Sequence, residues 1–288
     1  MRCLRWGGST GGICEVKGSS LTPFALLCAG SPSAAGAGTT DDYAKALQAL
    51  RACIDATVAD LSAMINEGPQ SPRLLRYGPF VTRRLIEEAI AAILARFDPA
   101  RIVVAFRGAR TSDFRVGDLN QSSLGWVRDV LPEIRVEAGA TVWSQSTIKK
   151  SGVVRSPVDG HLASYVFETA HPQVLDALNA KYATSIDLRQ WVLHLQKFDD
   201  QQGVALLADL RRRIAEAYSY LSKGIHFEFS SDGVASLDVN ELAKRIADAI
   251  QVLVTCGLYS HFSEASLCRL SHQAATDSFD LLARQFSI

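Results

Sequence analysis

The chain has 288 residues, of which 48% are apolar and 21% charged, with Lys plus Arg and Asp plus Glu at 30 each. A chain of this length buries about three quarters of the surface its unfolded form exposes, so no disulfide framework is needed, and the composition excludes a disordered or collagen-like class. The balanced charge excludes a whole-molecule field aimed at nucleic acid or an anionic membrane, and no run approaches the roughly 20 apolar residues of a membrane span, so the expectation is a cytoplasmic protein with no membrane partner.

Residues 1–39 are rich in Gly, Ser, Ala and Thr without a sustained period, which predicts a flexible N-terminal extension ahead of a single helical domain over 40–288, with a subdivision near 160. Arg2 and Arg5 precede the apolar run Phe24-Ala25-Leu26-Leu27, but that run is too short for a secretory signal and follows Pro23. Gly7-Gly8-Ser9-Thr10-Gly11 formally matches a nucleophile elbow, yet no strand precedes it to strain and present the serine.

Leu47, Leu50, Ile54, Val58, Leu61 and Ile65 recur at steps of three and four. They predict a helix capped by Thr40 or Asp41 and ended by Gly68-Pro69. A second helix is expected to open with Pro79 in its first turn, to carry Leu85, Ile86, Ala89, Ile90, Ile93 and Leu94, and to stop at Asp98-Pro99. Residues 100–160 are the least regular. Ile102 to Phe106 fits a short strand or the start of another helix, so the region is left open as helix, β-hairpin or irregular insertion.

Helical signals return with Pro172, expected to open a helix bearing Val174, Leu175 and Leu178, and with Ser185 as the cap of the next. A long helix carries Val204 to Leu221. A polar turn at Ser230 to Gly233 follows, and Asp238 with Glu241 forms a capping-box-like pair before Leu242, Ile246, Ile250 and Leu253. A final helix is expected over 264–285. The class is mainly α, a bundle of about seven to nine helices, with no βαβ alternation.

The six cysteines form no C-x-x-C pair, and no metal-ligand spacing or cofactor motif is present. Cys53, Cys256 and Cys268 fall in helical patterns as small buried apolar residues. Arg107, Arg110 and Arg115, followed by Lys149 and Lys150, make the one basic stretch, and with Trp126 or Trp143 they suit contacts to a nucleic-acid backbone. An ordinary loop rich in salt bridges explains them as well. His161, His171, His194, His261 and His272 have no metal-ligand spacing and read as core or surface residues; His261 and His272 share a face if their helix is continuous.

The segment from Tyr218 to Glu228 closes an amphipathic helix that holds Arg211, Arg212 and Arg213, and it contains Ser222-Lys223-Gly224-Ile225-His226. There His226, assisted by Lys223, suits general acid–base work near neutral pH. A histidine capping a helix C-terminus is the structural alternative.

A long helix ending in Tyr-x-x-Leu-Ser-Lys-Gly-Ile-His resembles the C-terminal part of HEPN-type helical domains, found in bacterial toxin, abortive-infection and antiphage systems; the resemblance covers about residues 205–270. It implies two readings. Active relatives look like metal-independent endoribonucleases built on an Arg followed four to six residues later by a His, usually as dimers with composite sites. Here the positions for that arginine are Ser219, Tyr220 and Leu221. The resemblance therefore implies a binding module of a defence or toxin–antitoxin type system, with a protein or RNA partner or a second copy. The alternative is an endoribonuclease using His226, with Lys223, Arg213 or a second subunit supplying the cation.

Overall fold

The structure, a computed structural model, describes residues 22–31, 41–109, 160–182, 189–198, 202–223, 229–230, 233–234 and 238–286. These contain nine helices and one two-stranded ladder, so the fold is a helical bundle as the periodicity implied.

The first helix, α1 (Pro23–Ala29), corrects the expectation of an extension through residue 39. Thr22 caps it through its Oγ1, Pro23 occupies the first turn, and Phe24, Ala25, Leu27, Cys28 and Ala29 are buried. Seven residues are too few to show a period or to form a helix alone. Tertiary burial holds α1 in place, at about 1.5–3 kcal/mol for each large apolar side chain removed from water. Thr22 also donates from its N–H and Oγ1 to Asp55 at 3.0 and 2.5 Å. That aspartate lies on α2 (Asp41–Asn66), whose stripe of Leu47, Ile54, Val58 and Leu61 is buried as expected.

Helix α3 (Pro72–Phe97) starts seven residues earlier than the expected Pro79. Ser71 supplies the cap to the N–H groups of Arg73 and Leu74, Pro72 takes the first turn, and Pro79 is accommodated inside. The turn before it is closed at Gly68 with φ of 101°, a left-handed conformation that suits glycine. After Asp98 the chain re-enters a helix, α4 (Pro99–Ala109), which settles Ile102 to Phe106 as helical; residues 110–159 lie outside the described set.

Helix α5 (Gly160–Tyr182) contains Pro172 in its interior, against the expectation that this proline opens a helix. Next come α6 (Arg189–Gln196) and α7 (Gly203–Lys223); Ser185, its expected cap, lies outside the described residues. A Cβ on Gly203 would run into the backbone of Phe167, so the close approach of α7 to α5 requires glycine. Strands β1 (Phe229–Ser230) and β2 (Gly233–Val234) pair antiparallel, Phe229 opposite Val234 and Ser230 opposite Gly233. Asp238 then caps α8 (Val239–Phe262), accepting from the Glu241 N–H at 2.8 Å. The last helix, α9 (His272–Gln285), begins at the Ser271 cap rather than at residue 264, so His261 and His272 do not share a helix.

Helix α8 is the axis of the bundle. It touches α1, α3, α5, α7 and α9, and every residue from Val252 to Phe262 is buried. That stretch, closed to water on every side, belongs at the centre of a bundle. No helix among the described residues is long and apolar enough to cross a membrane.

Beside this axis lies Arg96, fully buried at the end of α3. Its Nε donates to the Leu267 carbonyl (3.0 Å) and Nη1 to Ser260 Oγ (2.6 Å) and the Leu27 carbonyl (3.2 Å). Its Nη2 donates to the Ser260 carbonyl (3.3 Å) and to His261 Nδ1 (3.0 Å). Burial, opposed by nearby Cys268, brings the guanidinium down to about 10, so it is charged at neutral pH. The Leu270 N–H also donates to His261 Nδ1 at 2.9 Å, which leaves Nε2–H to donate to the Leu27 carbonyl at 3.0 Å. His261 is therefore the neutral Nε2–H tautomer.

The loop at 263–271 completes the arrangement. Cys268, expected in a helix, sits in this loop with φ of 53°. Its carbonyl accepts from the Ser31 N–H at 2.9 Å, and a Cβ on Gly30 would collide with that carbonyl. A second buried arginine, Arg51, donates from Nη2 to the Ala29 carbonyl at 3.0 Å.

Replacing Arg96 with Met should lower stability, because each buried acceptor left without its donor costs about 1–3 kcal/mol, measured as a shift of the urea midpoint. His261 carries a pH signature. Burial first, and Arg96 second, hold its imidazole well below the ordinary 6.5. Its contribution is complete above about pH 6.5 and is lost as pH falls, because the unfolded chain takes a proton that the folded one refuses. Stability measured between about pH 7.5 and 5.5 should therefore fall more steeply in the wild type than in His261→Gln.

Candidate functional site

Among the site residues expected from sequence, Lys223 and Arg107 are in the described set. Lys223 is the exposed last residue of α7. Arg107 is exposed on α4, where its Nε pairs with Asp42 of α2 at 2.7 Å. His226, Arg110, Arg115, Lys149 and Lys150 lie outside the described residues. Arg213 is ten residues before Lys223 on α7, about 15 Å along the axis, so it does not belong to the same end of the helix.

The stretch before Lys223 is tied into the bundle. Tyr218 OH donates to Glu87 of α3 at 2.7 Å, and the Arg83 guanidinium lies over its ring at 4.7 Å. Burial first, then Glu87, pushes the phenol up to about 12. Arg83 pairs with Glu87 at 3.3 Å and Arg84 with Glu88 at 2.6 Å, both one helical turn apart. Leu221 is buried, Ser222 Oγ donates back to the Tyr218 carbonyl at 2.7 Å, and Tyr220 OH donates to the Asp238 carbonyl at 3.4 Å.

The structure instead concentrates titratable groups in a groove of about 890 Å³ between α6, α7 and α8. One wall carries Trp191, Leu193 and Phe198; the others carry Lys197, Arg212, Arg213 and Lys244 against Asp209 and Asp248. Four cations face two carboxylates, a surplus of two positive charges with the imidazole of His194 neutral.

Helical spacing puts Asp209 and Arg213 on one face of α7, and Lys244, Asp248 and Gln251 on one face of α8. Arg213 is anchored by Asp248 Oδ1, at 2.5 Å from Nη2 and 3.2 Å from Nε, and by Gln251 Oε1 at 2.7 Å. Arg212 pairs with Asp209 and Glu216, each at 2.8 Å. Glu216 continues to Arg245 at 2.9 Å, and Arg245 to Glu241 at 2.6 Å. The groove's own acids are thus already engaged, while Arg212 and Lys244 stay about 60% exposed (59% and 62%).

His194 is at the floor. Its Nε2 accepts from Arg213 Nη1 at 3.2 Å and lies 3.1 Å from Asp209 Oδ2. Burial is the largest cause holding this imidazole below its ordinary value, followed by Arg213, with Asp209 opposing. No group of three His, Cys, Asp or Glu side chains among the described residues is placed to hold a metal ion. The arrangement suits recognition of an anion with an apolar or aromatic part.

In the sequence alone His194 has the marks of a core or surface histidine, and Arg213 is only a distant helper of His226. The i, i+4 pairs Asp209–Arg213 and Lys244–Asp248 were the available signal, but the meeting of three helices that makes them one surface has no sequence signature. Comparison of the chain with protein-family models, with curated proteins and with solved structures returned no match.

Removing the Arg213 cation should move His194 back up toward its ordinary value. In Arg213→Gln the ring-proton titration of His194, followed by NMR, should have its midpoint at higher pH than in the wild type.

Proposed function

We propose that this chain is a helical module of a bacterial defence or toxin–antitoxin type system, similar to HEPN-type domains, that acts in the cytoplasm by binding. We assign its binding surface to the groove between α6, α7 and α8 and its partner to an RNA strand. The observation that carries this reading is the charge arrangement of the groove: both carboxylates are engaged by arginines of the same chain, and exposed Arg212 and Lys244 flank a wall of Trp191 and Phe198.

Cations that follow a backbone, interleaved with aromatic rings on which bases stack, are the elements of strand binding without sequence preference. The serine, tyrosine and leucine at positions 219, 220 and 221, where active relatives of the family carry arginine, support binding over cleavage. A protein partner and a second copy of the chain are the competing occupants.

The test is fluorescence polarisation of a labelled 12-nucleotide single-stranded RNA at about 50 and 200 mM salt. The wild type should bind with steep salt dependence. The Arg212→Ala/Lys244→Ala double variant should bind more weakly, with its salt slope reduced by about one to two. Its fold should be little changed, since exposed ion pairs contribute about 0–1 kcal/mol each. Absence of RNA binding with co-purification of another protein or dimerisation would replace RNA with those occupants. Cleavage of the probe by wild type and not by His226→Ala would install the endoribonuclease reading instead.

A further inference from the structure

We infer that His194 couples anion binding in the groove to proton uptake, so that the groove takes its ligand more tightly as pH falls; this rests on the binding reading above. The argument begins with Nε2, which faces two groups at nearly equal distance. Arg213 Nη1 is at 3.2 Å and Asp209 Oδ2 at 3.1 Å. The arginine donates to Nε2, so here the imidazole is neutral at that nitrogen and presents its lone pair. Asp209 Oδ2 is buried and receives no hydrogen bond among the described residues; its partner Arg212 engages the other oxygen, Oδ1, at 2.8 Å. A buried carboxylate oxygen without a donor is costly, and a proton on Nε2 would supply one.

The same nitrogen therefore has two arrangements. Neutral, it accepts from Arg213. Protonated, it faces Asp209 as an ion pair, against the repulsion of Arg213, which cannot withdraw because Asp248 and Gln251 hold it. The charged groups facing the ring are Lys197 just beyond α6, and Asp209, Arg212 and Arg213 from α7; Lys244 and Asp248 of α8 complete the lining. On its other side α6 meets α5 through the uncharged Gln196–Asn179 hydrogen bond at 2.5 Å. Burial first, and Arg213 second, keep the proton off. A phosphate seated on Lys197, Arg212 and Lys244 offsets the field of the cations and tips Nε2 toward the proton.

Linkage then requires that binding take up a proton and that affinity rise as pH falls, by up to about tenfold for each unit by which the bound phosphate raises the histidine. Binding of the labelled 12-nucleotide RNA should be measured from about pH 8 to 5.5 at fixed salt, with isothermal titration calorimetry near pH 6.5 in two buffers of different ionisation heat. The wild type should tighten roughly three- to tenfold toward low pH and show buffer-dependent heats. His194→Gln should bind with a flatter pH profile. Equal heats in both buffers with a flat wild-type profile, or an unchanged slope in His194→Gln, would overturn the inference while leaving the binding reading intact. No binding at any pH would overturn both. The wild-type calorimetry stands alone if the variant does not fold.

Discussion

A single charged side chain, held by carbonyl, hydroxyl and imidazole groups, holds together segments that are far apart in the chain. Arg96 distributes its donors over the carbonyls of Leu27, Ser260 and Leu267, Ser260 Oγ and His261, so α1, the end of α8 and the 263–271 loop all meet at the end of α3. A guanidinium suits this role because its five N–H groups form a rigid fork, whereas a lysine would present one mobile point. Charge is tolerated there because the carbonyl oxygens turned toward it replace water. Remove it, and several buried acceptors lose their donor together.

That anchorage determines what the rest of the bundle can do. Helix α8 packs against α1, α3, α5, α7 and α9, and its residues 252–262 are all buried, whereas Glu241, Arg245 and Asp248 in its first half build a polar seam with α7. The seam consists of the ion pairs Asp209–Arg212–Glu216–Arg245–Glu241 and Arg213–Asp248. The exposed pairs around Arg212 add little stability, whereas Arg213–Asp248 is mostly withdrawn from water. The consequence of all these pairs is electrostatic: they engage the acids of the groove, while Arg212 and Lys244, themselves paired with Glu216 and Glu241, stay exposed at its edge.

The His194 environment shows how burial and charge act together. The imidazole is partly withdrawn from water and faces an arginine that is itself pinned, so the neutral form is favoured without an apolar pocket. The idle Oδ2 of Asp209 supplies the opposing bias. The site is polarised between two protonation states rather than committed to one, which is the physical condition for a ligand of either sign to move it.

The sequence by itself determined the helical class and the longest elements. In α2 the stripe from Leu47 to Ile65 repeats over about five turns, the Asp238 cap precedes α8, and in such helices the period outweighs any local ambiguity. It misjudged the prolines at 79 and 172, which sit inside α3 and α5, because a proline marks a helix start only when the preceding turn cannot be helical, and that depends on packing. Helix α1 was hidden because seven residues carry no period, and its order comes from burial against α2, α3, α8 and α9. Only the tertiary structure decided the groove and the Arg96 centre. His194, Asp209 and Asp248 come from three helices, and Arg96, Leu27 and Leu267 are separated by up to 240 residues. Such meetings arise from how helices cross in space, a property of the packed whole that no local pattern of residues encodes.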